Sequence, residues 1–375
     1  MKDKLQRKPV AIFGATGSIG RQSLEVIEAF PGRFKVTALT GLTNEFLLKE
    51  QAKRHHAKAY MGLSKMREII SGADYIINAI PGFAGLEISS ETLHMGKTLL
   101  PANKESLAIG GRWLKEIARA NGGRIYPLDS EASAVWQLID EHGVDNVDSV
   151  DLTCSGGPFF GKTAADLAHI TVEDALAHPT WKMGPKVSVD SATLINKLLE
   201  VYEVHNLFGI PLTKINILIH RESLAHGIVH LHSGARRVHA FQPDMRLFIS
   251  YALNYPQQPI SPWKIKRCRK SDLKFLKPDT TTFRPISWLR LHKENPNFPI
   301  ILNAANDVAV SEFLAGRLPF LGIYDLIEKA LEKFLWLPPP ASFKEMVEFH
   351  CKITDEIYEY CHPTRGGSLK KGKNR

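Results

Sequence analysis

The run VAIFGATGSIG, residues 10–20, sets the reading of the whole chain. Residues 10–13 form a short apolar strand. Gly14, Gly17 and Gly20 are then spaced to turn tightly and open a helix through Ser23, Leu24, Val26 and Ile27, which Pro31-Gly32 stops. Residues 36–39 supply the next strand. A glycine turn between the strand and helix of a βαβ unit offers backbone N–H groups to a pyrophosphate, so the context favours a dinucleotide-binding turn. Glycines that only close a tight turn are the alternative reading.

Outward from this unit the α/β texture continues. Residues 44–54 and 65–70 read as helices and 58–61 as extended; 74–79 and 97–100 are strands, and 125–128 is a strand delivering Asp129-Ser130-Glu131. Ligand groups gather at the carboxyl ends of strands in open parallel sheets, and both Lys104 and the Asp-Ser-Glu run fall at such ends. From residue 147 the pattern is mixed, with strands at 147–153, 216–220 and 238–242 and helix around 192–208. Residues 303–314, 323–334 and 342–360 read as helices, the last with a capping-box start at Ser342 and Glu345.

The expected organisation is therefore α/β. A Rossmann-like dinucleotide-binding domain spans residues 1–128, and an α+β catalytic domain spans 129–256. A linker rich in Pro, Lys and Arg covers 257–282, a C-terminal helical bundle 283–362 and a disordered basic tail 363–375.

Composition narrows the function class. The chain has 375 residues, 44% hydrophobic and 23% charged, as a soluble multidomain protein should. No apolar run reaches membrane-span length, and the basic start leads into a glycine turn rather than a cleavage site, so a cytoplasmic protein with no membrane partner is expected. Cys154, Cys268, Cys351 and Cys361 show no paired spacing and read as free thiols. The net charge of +9 concentrates near both ends and at residues 264–270. These clusters lack interleaved aromatics apart from Trp263, so they read as solvated termini and a basic linker, and no nucleic-acid partner is expected.

Three further runs carry chemistry. In HPTWKMGPKVSVDSATLINKLLE, residues 178–200, Asn196 and Lys197 can hold a phosphate, and Glu200 lies one helical turn on. A loop entering an amphipathic helix capped by Asp190 or Ser191 is the competing account. Asp129 and Glu131 are two apart, so in an extended segment both carboxylates face one way; hard oxygen ligands suit Mg²⁺ or Mn²⁺, and Glu200 is the natural third. Residues 153–159, TCSGGPF, form a second strand-to-glycine turn that can present Ser155 to an anion.

GATGSIG, ANKESLAIGG, LDSE, SGGPF, HPTWKMGPKVSVDSATLINK, QPDMR and LNAANDVAV occur in this order. Together they resemble the 1-deoxy-D-xylulose 5-phosphate reductoisomerase family from about residue 10 to residue 360. The resemblance implies an enzyme that rearranges and reduces that sugar phosphate with NADPH and Mg²⁺ or Mn²⁺ (Co²⁺ as a further candidate), as a homodimer. It implies metal carboxylates at Asp129, Glu131 and Glu200, with Lys104 assisting proton movement. It implies substrate contacts at Lys104, Ser130, Glu131, Ser155, His178, Trp181, Met183, Ser191, Asn196, Lys197 and Glu200; His178, Trp181 and Met183 belong to a closing loop. Cofactor contacts fall at Gly14, Thr16, Gly17, Ser18, Ile19, Gly41, Asn44, Asn103 and Glu105. No acidic residue follows the second strand to grip an NAD ribose, and no Arg or Lys stands there for a 2′-phosphate, so NADPH rests on the resemblance.

The chain departs from the family pattern at Ala132 (usually His), Arg221 (usually Pro) and Leu198 (usually Gly), and residues 61–74 are short by about one helix–strand unit. Those departures motivate two rival readings: a related NAD(P)-dependent sugar-phosphate dehydrogenase with another substrate, and a catalytically impaired binding relative.

Overall fold

The computed structural model describes residues 7–181, 183–264 and 273–363. Its first sheet contains β1 (Lys8–Phe13), β2 (Phe34–Gly41), β3 (Lys58–Met61), β4 (Tyr75–Asn78), β5 (Thr98–Pro101) and β6 (Arg124–Ile125), ordered β3-β2-β1-β4-β5-β6. Every pairing is parallel. Helices α1 (Ser18–Ala29), α2 (Glu45–His55), α3 (Met66–Ser71), α4 (Gly85–His94) and α5 (Lys104–Asn121) make the crossovers. Val10, Ala11, Ile12 and Phe13 are fully buried, as a central parallel strand covered on both faces requires. The order reverses between β1 and β4, which opens a crevice at their carboxyl ends.

After α6 (Ser130–His142) comes β7 (Val147–Cys154), then α7 (Ala164–Leu167), α8 (Val172–Leu176), α9 (Pro185–Thr193) and α10 (Ile195–Phe208). Strands β8 (Ile215–Ile219), β9 (Ala225–Leu231) and β10 (Arg236–Ala240) complete a second sheet, ordered β10-β9-β7-β8, in which only β7 and β8 run parallel. Helix α11 (Met245–Asn254) returns to pack on α1. The C-terminal helices are α12 (Arg284–His292), α13 (Phe298–Leu314), α14 (Phe320–Phe334) and α15 (Phe343–Cys361). α13 is buried nearly all round, so it forms the axis of this bundle. Phe298, Phe320, Tyr324 and Phe334 pack into the core that joins the bundle to α10 and β7, each burial contributing roughly 2 kcal/mol.

Several local expectations change. Asp129 and Glu131 do not lie on an extended segment: β6 ends at Ile125, and Asp129 is the N-cap of α6, its Oδ1 accepting the N–H groups of Glu131 and Ala132. Neither Asp190 nor Ser191 caps a helix. Gly184 precedes α9 with Pro185 in its first turn, and Leu194, at φ +65°, breaks the expected 192–208 helix into the end of α9 and α10. β10 starts two residues earlier than expected, and α12 is a helix of the expected bundle region for which no individual helix was anticipated, with Pro285 in its first turn. Leu276 pairs with Ile219 beside the second sheet, so part of the basic linker is tied down. The capping box of α15 is half formed: Ser342 accepts from Glu345 N–H, but the Glu345 carboxylate takes Ala341 N–H. The expected tail, the first six residues and the middle of the linker lie outside the described residues.

Candidate active site

The carboxyl ends of both sheets face one cavity of about 740 Å³. β5 delivers Lys104 at the start of α5, the first turn of α6 brings Ser130 and Glu131, and β7 ends at the Ser155 turn. α10 presents Asn196, Lys197 and Glu200 on one face, as residues three and four apart on a helix must lie.

The ligand oxygens of Asp129, Glu131 and Glu200 lie within 4.8 Å of one another. Two ammonium groups bind this triad. Lys104 Nζ is 2.5 Å from Asp129 and 2.7 Å from Glu200; Lys197 Nζ is 3.0 Å from Glu131 and also contacts Glu200. Asn196 Nδ2 donates to Glu200 at 2.5 Å, and Ser130 Oγ donates to Glu131 at 2.5 Å. Burial works to deprotonate Lys104, but Asp129, Glu200 and Glu131 outweigh it and hold its pKa well above the usual value. Burial, reinforced by the Glu131 charge, pushes Glu200 up. Three carboxylates against two lysines leave an excess of acidic groups in a largely buried site, and a divalent cation with oxygen ligands relieves such an excess. One turn beyond Glu200, burial and the Asp129 charge push the carboxyl of fully buried Glu203 well above its ordinary value.

Ser155 and His178 form the far end of the cavity. His178 Nδ1 accepts the N–H groups of Thr180 (3.2 Å) and Trp181 (2.9 Å), so the proton of the neutral ring sits on Nε2 and is donated to Ser155 Oγ at 3.1 Å. Burial and the Arg221 charge push His178 down to about 4, which keeps the ring neutral. Ser155 Oγ also accepts Gly157 N–H, which leaves its own O–H free to donate to an anion. Trp181, Met183 and Ser191 line the same cavity, and the Trp181 ring stands edge-on to His226. Cys154 lines it too, but burial pushes its thiol up to about 11, so it is no ready nucleophile.

The glycine turn adjoins this cavity through Ser18 and Ile19. Gly14, at φ +85°, leaves no room for a Cβ, which would meet Ala79 O at 2.8 Å. Gly17 precedes α1 with no side-chain cap, so the first N–H groups of that helix are open to an anion. Gly41 packs on Thr16 and Leu48, and Asn44 caps α2 through Leu47 N–H. Asn103 and Glu105 do not line the cavity. Asn103 is 1% exposed, donates to the carbonyls of Ile80 and Gly82, and caps α5 through Ser106 N–H. Glu105 accepts Gly82 N–H.

Two departures from the family pattern turn their side chains into the core. Leu198 is fully buried in the core, because the helix turns each successive residue by roughly 100° and so points it away from the face that carries Lys197. Its bulk therefore does not distort the site. Ala132 is likewise a core residue. Lys104, Lys197, Asn196 and Ser130 hold the carboxylates instead. Ser223, Arg21, Gln22, Asp244, Met245 and Arg246 also line the cavity without having been singled out. The QPDMR run signalled three of them; for Ser223, in the turn between β8 and β9, the only signal was the His-x-x-Ser run.

Three residues past Met183, Lys186 in the first turn of α9 binds three carboxylates from three elements: Asp190 at 2.7 Å, Glu105 of α5 at 3.2 Å and Asp307 of α13 at 3.3 Å. Asp307, whose side chain is 21% exposed, is pushed up to about 6, chiefly by burial against the opposing pull of Lys186. Such a raised carboxyl costs nothing while protonated in both states. It destabilises progressively as pH rises from its ordinary 3.8 towards 6, and fully above that. Asp307→Asn is therefore expected to gain about 1–2 kcal/mol on the wild type between acid and neutral pH, allowing for partial exposure. Urea unfolding of both proteins on either side of that window checks it, and a pH-independent difference refutes it.

Comparison with known proteins agrees with this geometry. Residues 10–66 and 50–111 match the family model described as 1-deoxy-D-xylulose 5-phosphate reductoisomerase, and residues 125–208 and 241–358 match two models of C-terminal domains of that enzyme. A relative of that name from Geotalea uraniireducens is 38% identical over 352 residues, covering 87% of this chain and 91% of its own. Another, from Pelotomaculum thermopropionicum, is 38% identical, covering 91% and 95%. The solved structure of the Zymomonas mobilis enzyme with NADPH superposes at a TM-score of 0.85, with 32% identity over 96% of this chain and all of the other. A reductoisomerase complex with NADPH, fosmidomycin and magnesium superposes at 0.88, with 29% identity over 98% of this chain and all of the other.

Proposed function

We infer the working of this site from the premise that the chain belongs to the 1-deoxy-D-xylulose 5-phosphate reductoisomerase family. It is an NADPH- and divalent-metal-dependent enzyme that rearranges and reduces 1-deoxy-D-xylulose 5-phosphate to 2-C-methyl-D-erythritol 4-phosphate in the non-mevalonate isoprenoid pathway. The observation that carries this reading is the single cavity shared by the carboxylate triad, the Ser155–His178 pair and the start of α1.

Asp129, Glu131 and Glu200 would hold the cation, Mg²⁺ or Mn²⁺, whose oxygen preference the triad fits. When bound, the cation supplies Lewis-acid polarisation of the substrate carbonyl and NADPH supplies the hydride. Ser155 donates its free O–H to the substrate phosphate, with Ser191, Asn196 and Lys197 beside it. Lys197 and Asn196 exchange carboxylate contacts for phosphate contacts as the substrate enters. Lys104 keeps its proton at Nζ, between Asp129 and Glu200, where it meets the substrate hydroxyls with Ser130. His178, Trp181 and Met183 close over the sugar and exclude water.

Gly14, Thr16, Gly17, Ser18 and Ile19 seat the cofactor pyrophosphate at the start of α1, with Gly41 and Asn44 on its outer side. Asn103 and Glu105 serve the cofactor end by shaping the 80–85 loop. The domain limits are 1–128, 129–256, a 257–282 linker, 283–362 and a 363–375 tail. The enzyme works as a cytoplasmic homodimer without nucleic-acid or membrane partners. Among the described residues no helix is long and apolar enough to cross a membrane.

Incubating the protein with 1-deoxy-D-xylulose 5-phosphate, NADPH and either Mg²⁺ or Mn²⁺ is expected to give metal-dependent loss of nicotinamide absorbance. No loss with either metal overturns the reading. Light scattering on the eluting protein tests the dimer.

A further inference from the structure

We propose that Arg221 is a positioning residue for the phosphate end of the cavity, holding the Ser155–Gly157 loop in the shape that presents Ser155 to an anion. The inference rests on the reading of Ser155 as a phosphate donor. β7 and β8 are parallel neighbours with Cys154 opposite Ile219, so the loops that follow them emerge side by side. His220 N–H donates to Cys154 O at 2.7 Å, and the next residue, Arg221, reaches across. Its Nη1 donates to Ser155 O and, at 3.0 Å, to Gly157 O. Its guanidinium also lies 4.7 Å from the centre of the Phe160 ring, so contacts on two sides fix it.

The loop needs such a hold. Gly156 and Gly157 are consecutive left-handed residues at φ +78° and +68°, a conformation glycine adopts freely but also leaves freely. The space is tight: a Cβ on Gly156 would meet Phe160 at 2.9 Å, and one on Gly157 would meet Ser191 O at 2.7 Å. A charged donor gripping the carbonyls on both sides of Gly156 therefore selects one loop shape and places a positive charge behind the anion seat. His178, which donates to Ser155, feels that charge, since Arg221 helps depress its pKa. None of these contacts reaches the carboxylate triad, so the effect belongs to binding rather than to the chemical step.

The test compares the full-length wild type, Arg221→Gln and Arg221→Lys by calorimetric titration with inorganic phosphate and by steady-state kinetics. Arg221→Gln is expected to weaken phosphate binding and raise substrate KM about tenfold, with kcat changed less than about threefold. Arg221→Lys, which keeps the charge but not the planar guanidinium over the Phe160 ring, falls between. Phosphate affinity and KM within twofold of the wild type in Arg221→Gln overturn the proposal, as does a fall in kcat at unchanged KM. If Arg221→Gln does not fold, Arg221→Lys decides: a raised KM supports the assignment and an unchanged one removes it. Failure of the wider reading shows separately, as a wild type without turnover, while the phosphate titration still reports on Arg221.

Discussion

Glu131→Gln is expected to abolish turnover while leaving NADPH affinity within about twofold of the wild type. The exchange conserves shape but removes the charge that meets Lys197 at 3.0 Å and accepts from Ser130 at 2.5 Å. With one carboxylate of three made neutral, the triad no longer over-matches its two lysines, and the drive to take up a dication falls. A loss of at least a thousandfold in kcat, about 4 kcal/mol, follows if the cation acts on the substrate carbonyl. The cofactor turn is built on β1 and α1, whose geometry does not depend on Glu131. Fluorescence titration with NADPH alongside the rate assay checks both halves; equal loss of cofactor affinity contradicts this division of roles.

Lys186→Met is expected to lower stability by about 3 kcal/mol. It leaves Glu105, Asp190 and Asp307 facing one another with their shared cation gone, and two of those carboxylates are buried. Because the three come from α5, α9 and α13, the loss also loosens α9 from the two helices that flank it. The unfolding midpoint should fall by several degrees, and Lys186→Met with Asp307→Asn should recover part of the fall by removing one repelling charge. A midpoint unchanged in the single variant disproves a stabilising role for these ion pairs.

Much of the site was legible because its signals are local. The glycine turn at 14–20, the Asp-Ser-Glu run and the Asn-Lys-x-x-Glu spacing each place chemistry within a single turn or strand end. Helical periodicity alone puts Lys197 and Glu200 on one face. What was misread turned on choices that short windows do not decide. Two residues of spacing between Asp129 and Glu131 suit a strand and a helix start equally, and only the strand's early end at Ile125 made Asp129 a cap. The left-handed turn at Leu194 has no glycine or asparagine to announce it. Leu198 looked like bulk beside a phosphate binder until α10 was rotated against its core.

By itself the sequence determined the parallel sheet with its glycine turn and picked out Asp129, Glu131, Asn196, Lys197 and Glu200 as candidate ligand groups, since these follow from apolar periodicity and from motifs that act within a few residues. Only the tertiary structure decided which charges meet. Lys104 finds Glu200, Lys186 finds Asp307 and Arg221 finds Ser155 across long stretches of chain. The physical reason is that these pairings are made by packing the ends of two sheets and a helical bundle around one cavity. Burial there multiplies electrostatic interactions that no linear spacing encodes.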